Sequence, residues 1–324
     1  MKRNLLVTGG LGFVGARLSA ELAPRPDTKV VVVDNELTGS PDNLAEETRA
    51  RIDLVTSDLS DEAAAREIVL DLRPDVIFHL AAIHFVPLCN SRPTLAVRMN
   101  VQSTANVLDA AATLAEPPCF VFASTAAVYA PSDAALSEGS TLGPTDIYGL
   151  TKLWGEQLVA RYREESGAPT AILRLFNVVG EGETNPHLIP SILVGVEGKG
   201  TGSRVLRLGN LTTKRDYVYV GDVAKAFATA PDVATEHRAI CANVCTGVAS
   251  SGYEVLEVIG LETSHSYTVE TDPARVRSSD RPVLLGNANS FSELFGWRPA
   301  TDLRHSVRSA LERPVAPSYT ASAG

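Results

Sequence analysis

Tyr148 and Lys152 stand four residues apart in Tyr148-Gly149-Leu150-Thr151-Lys152, a spacing that places both on one face of a helix. A phenol titrates near 10 and is a poor base at neutral pH, but a neighbouring ammonium favours the phenolate. Such a pair supplies a base matched to a sugar or alcohol hydroxyl. Any Tyr and Lys can fall at this spacing by chance, so position carries the weight. The pair follows a β-branched and aromatic run over 119–124 that ends in Ser124-Thr125. Those hydroxyls would sit at the carboxyl edge of a strand, where ligands gather in doubly wound sheets.

A second constellation stands near the start: Thr8-Gly9-Gly10-Leu11-Gly12-Phe13-Val14-Gly15. Gly9 permits a tight turn, Gly12 lets backbone N–H groups reach a pyrophosphate, and Gly15 allows close helix–strand packing. The run after it reaches Asp34 and Asn35, with the acid 25 residues beyond Gly9, where a carboxylate can accept hydrogen bonds from an adenosine ribose. An acid there repels a 2′-phosphate, and no Arg lies between Asp34 and Thr48 to hold one, so NAD is favoured over NADP. Asp58-Leu59 either lies beside the adenine or enters the next helix. His79 reads as a buried strand end rather than a metal ligand.

These residues need a scaffold, and the order of elements provides one. Strands are expected over 5–8, 29–33, 52–57, 75–80 and 119–124, and helices over 11–23, over 61–70 behind Ser60 as N-cap, and over 98–115. Alternation of this kind makes an α/β protein, a doubly wound parallel Rossmann sheet with right-handed crossovers. Beyond residue 168 a strand over 170–175, a Gly-rich loop over 180–185, a helix near 188–197, a Gly-rich 198–202, a strand over 205–208, a helix over 222–230 and a strand over 239–244 suggest a smaller lobe interdigitated with the sheet. The expected division is 1–177 plus about 217–259 for the dinucleotide domain and about 178–216 plus 260–313 for the substrate lobe. The Pro/Ala/Ser-rich 314–324 is expected to be disordered.

Composition excludes several classes. With 324 residues, 44% hydrophobic and 21% charged, the chain is an ordinary folded globular protein. A net charge of -9 repels phosphate backbones, and no run of five Lys/Arg overrules it, so nucleic acid is not an expected partner. The longest apolar stretch, 76–89, is broken by His79 and His84 and falls short of the roughly 18 residues that span a bilayer. No secretory leader is recognisable, and the cytoplasm is the expected address. Four cysteines are expected as buried reduced thiols. The spacing of Cys241 and Cys245 is poor for zinc, and no metal site is expected.

Seven motifs in order carry a resemblance: TGGLGFVG from Thr8, HLAA over His79–Ala82, Asn100 in MNVQSTANVL, STAAVY over Ser124–Tyr129, YGLTK, RLFNVVG over Arg174–Gly180 and KRDYVYVGDVA over Lys214–Ala224. The chain resembles the extended short-chain dehydrogenase/reductases, specifically the NAD-dependent nucleotide-sugar epimerase/dehydratase group, from about Leu5 to Pro299. The resemblance implies that Thr125 hydrogen-bonds the sugar, that Tyr148 is the acid/base, and that Lys152 binds the nicotinamide ribose. It places Phe13, Val14, Leu59, Leu80, Ala81, Ala82, Asn100 and Phe176 about the cofactor with the glycines, Asp34, Asn35 and Asp58. Substrate nucleotide and diphosphate would meet Asn177, His187, Leu188, Leu208, Arg215, Arg277 and Asp280. Arg215 could instead pair with Asp216 at the surface, Arg281 could replace Arg277, and Asn177 could tie a loop.

Departures from the family narrow the chemistry. Dehydratases of the group usually carry an acid directly after the equivalent of Thr125, whereas Ala126 and Ala127 follow it here. The pattern looks like that of the 4-epimerases, with a nucleotide-diphosphate sugar, a UDP-sugar favoured, as substrate. His84 stands where many galactose 4-epimerases have a Lys. A keto-sugar reductase with the same Thr-Tyr-Lys site is the alternative; a 4,6-dehydratase and a non-catalytic NAD-sensing protein are further ones. The resemblance also implies a homodimer through a four-helix bundle of the helices over 98–115 and 147–166, with Leu150, Leu153, Trp154, Gln157 and Leu158 on its face.

Overall fold

The computed structural model describes residues 2–312 except 184, 186, 197–203 and 274–280, and the side chains of 194–196 and 204 are likewise outside the description. The Gly-rich 198–202, Arg277, Asp280 and the 314–324 tail therefore lie outside the described residues.

Six strands follow in order: β1 (Arg3–Thr8), β2 (Thr28–Asp34), β3 (Asp53–Thr56), β4 (Val76–His79), β5 (Cys119–Thr125) and β6 (Thr170–Leu175). With the later strand Ala239–Val244 they form one seven-stranded sheet, ordered Ala239–Val244, β6, β5, β4, β1, β2, β3. Every pairing in it is parallel. The sheet is the α/β doubly wound Rossmann type expected from the strand–helix alternation. Alternate residues of one strand feed two cores: Leu5, Val7, Val30 and Val32 point to one face, and Leu6, Val31 and Val33 to the other. Because both faces are covered, the strands read as continuous apolar runs. β3 is the edge, and all four of its residues are exposed.

The helices Phe13–Leu22 and Val220–His237 cover the first face, and Glu62–Leu72, Ser103–Ala112 and Ile147–Ser166 the second. Three local expectations change. The cap of Glu62–Leu72 is Asp61, which accepts from the Ala64 N–H at 3.1 Å, whereas Ser60 turns back onto Asp58. The segment expected as one helix over 98–115 begins as a π turn, Arg98–Gln102, before Ser103–Ala112. The helix expected to stop before Pro231 runs to His237. Buried Ala230, Pro231 and Ala234 pack on the sheet, so tertiary burial overrides the lost backbone bond.

The second half of the chain adds a small sheet in which Lys214–Tyr219 pairs with Asn177–Val179, Ala249–Ser251 and Val283–Leu284, and a separate parallel pair, Arg204–Leu208 with Tyr267–Thr271. A third core of Ile189, Ile192, Leu206, Leu208, Val255, Ile259 and Val307 lies beneath them. Asp216, fully buried, ties this region together by accepting from the backbone of Thr246, Gly247 and Gly286 at 2.8, 2.9 and 3.3 Å. It is therefore a buried strut and not half of a surface pair with Arg215. No described helix is long and apolar enough to cross a membrane.

Candidate active site

The strand order reverses at β1, which pairs with β2 on one side and β4 on the other. Loops leaving β1 and β4 must diverge there, and a crevice opens at their carboxyl ends. They begin in close contact: Gly9 has φ +68, and a Cβ on it would meet the Ala81 backbone nitrogen at 2.6 Å. A Cβ on Gly15 would lie 2.1 Å from the Gly9 carbonyl oxygen, so the helix reaches the loop only because residue 15 has no side chain. Gly12 differs. Its Cβ would meet nothing nearer than the Gly9 oxygen at 3.3 Å, so the space it leaves belongs to the cleft. The helix that starts at Phe13 has no side-chain cap and no acid in its first turn, which leaves its first N–H groups for an anion.

Asp34, at the end of β2, accepts from Leu11 N–H at 3.0 Å with one carboxylate oxygen and from Glu36 N–H at 2.9 Å with the other. Burial pushes its carboxyl up, and these backbone donors oppose the shift. Each oxygen keeps a lone pair for a ribose hydroxyl. The donor set, the glycine cradle and the bare helix end fit a dinucleotide.

The floor is built by β5 and the helix Ile147–Ser166. Asp146 caps that helix, accepting from Gly149 N–H at 2.7 Å. A Cβ on Gly149 would meet the Ala127 oxygen at 2.5 Å, so this residue lets the helix start against the end of β5. Tyr148 and Thr125 thereby face one another on the cleft floor, close enough for the hydroxyl to act on the phenol. Thr125 Oγ1 also accepts from Ala127 N–H at 3.2 Å, which leaves its single hydrogen to be aimed elsewhere. Burial raises the Tyr148 phenol above its ordinary range and the Thr125 hydroxyl opposes it. One turn on, Lys152 is 3% exposed, its Nζ 4.9 Å from the centre of the Phe122 ring. Burial lowers it to about 7, against the pull of Cys89 and Glu156.

Of the sequence-derived site residues that the structure describes, all but Asn100 line one cleft of about 1260 Å³. That exceeds the roughly 300–1,000 Å³ of an ordinary ligand pocket and suits a dinucleotide with a second ligand. Asn100 is held behind the wall. Its side chain accepts from Ile83 N–H at 2.7 Å and donates to the Ile83 carbonyl and to Thr151 Oγ1 at 2.9 and 3.0 Å. It fixes the β4 loop and the residue before Lys152 instead of facing the cleft. Asp58 lines the cleft and also accepts from the Ser60 N–H and Oγ at 2.9 and 2.7 Å. His79 is fully buried between Thr8 at 2.9 Å and Thr104 at 3.0 Å, and burial lowers it to about 3. All four cysteines are free, but only Cys89, Cys119 and Cys245 are buried as expected; Cys241, on the strand Ala239–Val244 at the sheet edge, is partly exposed.

Glu156 was not among the residues expected from the sequence. Glu156, one turn beyond Lys152, accepts from Ser124 Oγ and from Arg174 Nε and Nη2, and Arg174 also donates to Tyr129. The i, i+4 spacing from Lys152 was the available signal. On the far wall, Arg281 Nη2 donates to the Tyr129 carbonyl at 2.7 Å, while its buried Nη1 has no partner among the described residues. Arg215 is fastened to the Arg281 carbonyl at 2.8 Å. Two guanidinium groups therefore stand together on a cleft wall in an acidic chain.

The comparisons with known proteins agree with this geometry. The chain is 28% identical over 95% of its length to GDP-6-deoxy-D-talose 4-dehydrogenase of Aggregatibacter actinomycetemcomitans, covering 96% of that protein. It is 30% identical over 95% of its length to UDP-glucose 4-epimerase of Rhizobium meliloti, again covering 95% of the relative. The crystal structure of UDP-glucose 4-epimerase from Brucella ovis in complex with NAD matches 96% of this chain and 98% of its own, with TM-score 0.85 and 29% identity. The family model for NAD dependent epimerases and dehydratases matches residues 5–264, a span that holds the glycine loop, Asp34 and the Thr-Tyr-Lys floor, and the chain belongs to that family.

Proposed function

We propose that the protein is an NAD-dependent epimerase of a nucleotide-diphosphate sugar that inverts C4 through a transient 4-keto sugar. The observation that carries the reading is the meeting of Thr125, Tyr148 and Lys152 beside the methyl groups of Ala126 and Ala127, which line the same cleft. That arrangement can move one proton to and from one hydroxyl. Positions 126 and 127, directly after Thr125, carry methyl groups and so offer no acid to expel a hydroxyl, as a dehydratase would need.

In this reading the Gly9–Gly15 loop takes the pyrophosphate of NAD, Asp34 its adenosine ribose and Lys152 its nicotinamide ribose. When bound, NAD supplies the hydride chemistry at C4 and a positive charge beside the phenol. Tyr148 removes the proton from the 4-hydroxyl and later returns it, and Thr125 turns its single hydrogen from the phenol to the sugar oxygen when substrate is bound and holds it within reach. The ammonium of Lys152 offsets the burial that keeps the phenol protonated. Arg215 and Arg281 anchor the diphosphate, the unpartnered Nη1 of Arg281 finding its acceptor there. The 4-keto sugar turns about that anchor to present its other face.

A second reading, a nucleotide-4-keto-sugar reductase, is favoured by the Aggregatibacter relative's activity on a GDP-sugar. One assay separates the two. Nucleotide sugars, UDP-sugars first, are offered to the enzyme with bound NAD, and product and net NADH are measured. Inversion with no net NADH change supports the epimerase, whereas stoichiometric NADH consumption when a nucleotide 4-keto sugar and NADH are supplied, without inversion of the alcohol substrates, supports the reductase. With a C4-deuterated substrate the label is retained at C4 and none exchanges with solvent; loss of deuterium to water during inversion overturns the mechanism.

A further inference from the structure

Three ligating side chains from distant parts of the chain meet on the cleft wall. His84 follows β4, and Glu183 and His187 lie in the loop before the helix Leu188–Val196. One ligand atom from each lies within 4.8 Å of the others. Two imidazoles and a carboxylate form the donor set of a three-ligand zinc centre that keeps a coordination position open. Bonds of about 2.0–2.2 Å at tetrahedral angles separate neighbouring ligand atoms by about 3.3–3.5 Å. The group would therefore contract by up to roughly 1.4 Å, within reach of side-chain rotation in a loop.

Asn185 shows what the cluster attracts. Its Nδ2 donates to His84 Nε2 at 2.6 Å and to Glu183 Oε1 at 3.2 Å, so the electropositive end of an amide sits between the two acceptors. An amide N–H can only donate, so in that contact His84 Nε2 presents its lone pair. Among the described residues no Lys or Arg pairs with Glu183, so its carboxylate lacks a strong counter-charge.

We propose that His84, Glu183 and His187 bind one divalent transition-metal cation of the Zn2+ type, with Asn185 swinging aside when the ion enters. The ligand set is nitrogen-rich, which suits Zn2+ and Co2+ and disfavours Mg2+ and Ca2+. All three side chains line the cleft that holds Tyr148, so the open coordination position is available to a ligand in that cleft. The metal-binding test does not depend on the reaction proposed above, although His187 is also among the residues expected to meet the substrate.

The test uses the full chain without a polyhistidine tag, stripped with EDTA and titrated with Co2+ by visible absorption and with Zn2+ by calorimetry. One equivalent is expected to bind, with the d–d spectrum of a four- or five-coordinate cobalt site. His187→Ala and Glu183→Gln should each weaken binding by about 10-fold or more. Asn185→Asp adds a fourth ligand: it should tighten Zn2+ binding by about 10-fold and show a melting temperature that Zn2+ raises more than in the wild type. That gain guards against mistaking a misfolded variant for a lost site. No cobalt spectrum at millimolar Co2+, or one-equivalent binding that survives the triple change His84→Ala, Glu183→Gln, His187→Ala, overturns the proposal.

Discussion

Arg174 holds both carboxylate oxygens of Glu156, through Nε at 2.9 Å and Nη2 at 2.7 Å, with each side chain only 6% exposed. Burial opposes the charge on Arg174, but the bonds from Glu156 raise its pKa regardless. The pair joins β6 to the helix that carries Lys152, and Tyr129 and Asn243 continue the chain of bonds at 3.0 and 2.6 Å.

Removing one partner of such a pair leaves a buried charge with no counter-charge. Arg174→Leu should therefore cost about 3–5 kcal/mol, whereas Glu156→Gln with Arg174→Met together should cost clearly less than the single change. Urea unfolding of the three proteins checks it. Equal losses in the single and double variants would show that the pair is not coupled.

The floor predicts a separation of binding from turnover. Tyr148→Phe keeps the ring and its packing and removes the acid/base, so NAD and nucleotide-sugar affinity should persist while kcat falls by roughly 100-fold or more. Thr125→Val should cost less, because the base remains.

Lys152 should lower stability in the ligand-free protein. Its folded pKa of about 7 lies below the unfolded value near 10.5, so between those limits the unfolded chain binds more protons and stability rises with pH. Lys152→Met removes this term. The variant should be more stable than the wild type at and below pH 7, and its advantage should shrink as pH rises from 7 towards 10. Denaturant melts of ligand-free protein at pH 6.5 and 9 read the difference; a gap constant across pH would contradict it.

The second and third glycines of the cradle, Gly12 and Gly15, should fail in different ways. Gly12→Ala meets only one oxygen, at 3.3 Å, so it should keep its melting temperature within a few degrees and lose NAD affinity. Gly15→Ala collides with the Gly9 carbonyl and should lower the melting temperature outright. Calorimetry with and without NAD distinguishes them.

The helix Ile147–Ser166 leaves Trp154 39% exposed, beside the partly exposed Leu150 and Leu158. We expect this face to pair with a second copy across a two-fold axis. Sedimentation at micromolar concentration should show a dimer, and Trp154→Glu should yield monomers.

The order of strands and helices and most of the residues that line the cleft were legible because each rests on local chemistry. Apolar periodicity, the glycine spacing and the Tyr–Lys interval are short-range constraints that survive without the rest of the fold. Even there the fine detail shifted: the cap moved from Ser60 to Asp61, the segment at Arg98 opened as a π turn, and Pro231 did not end its helix, since burial against the sheet outweighs a local preference. Asn100 could be read as a cofactor residue from its motif, but only the packed loops show its amide closing on Ile83 and Thr151. Partners far apart in sequence have no spacing to read. The Glu156–Arg174 pair, the buried Asp216, the joined Arg215 and Arg281, and the meeting of His84 with Glu183 and His187 exist because the sheet order and the returning second half of the chain bring those segments together. Burial then decides their charge states, and burial is a property of the tertiary structure alone.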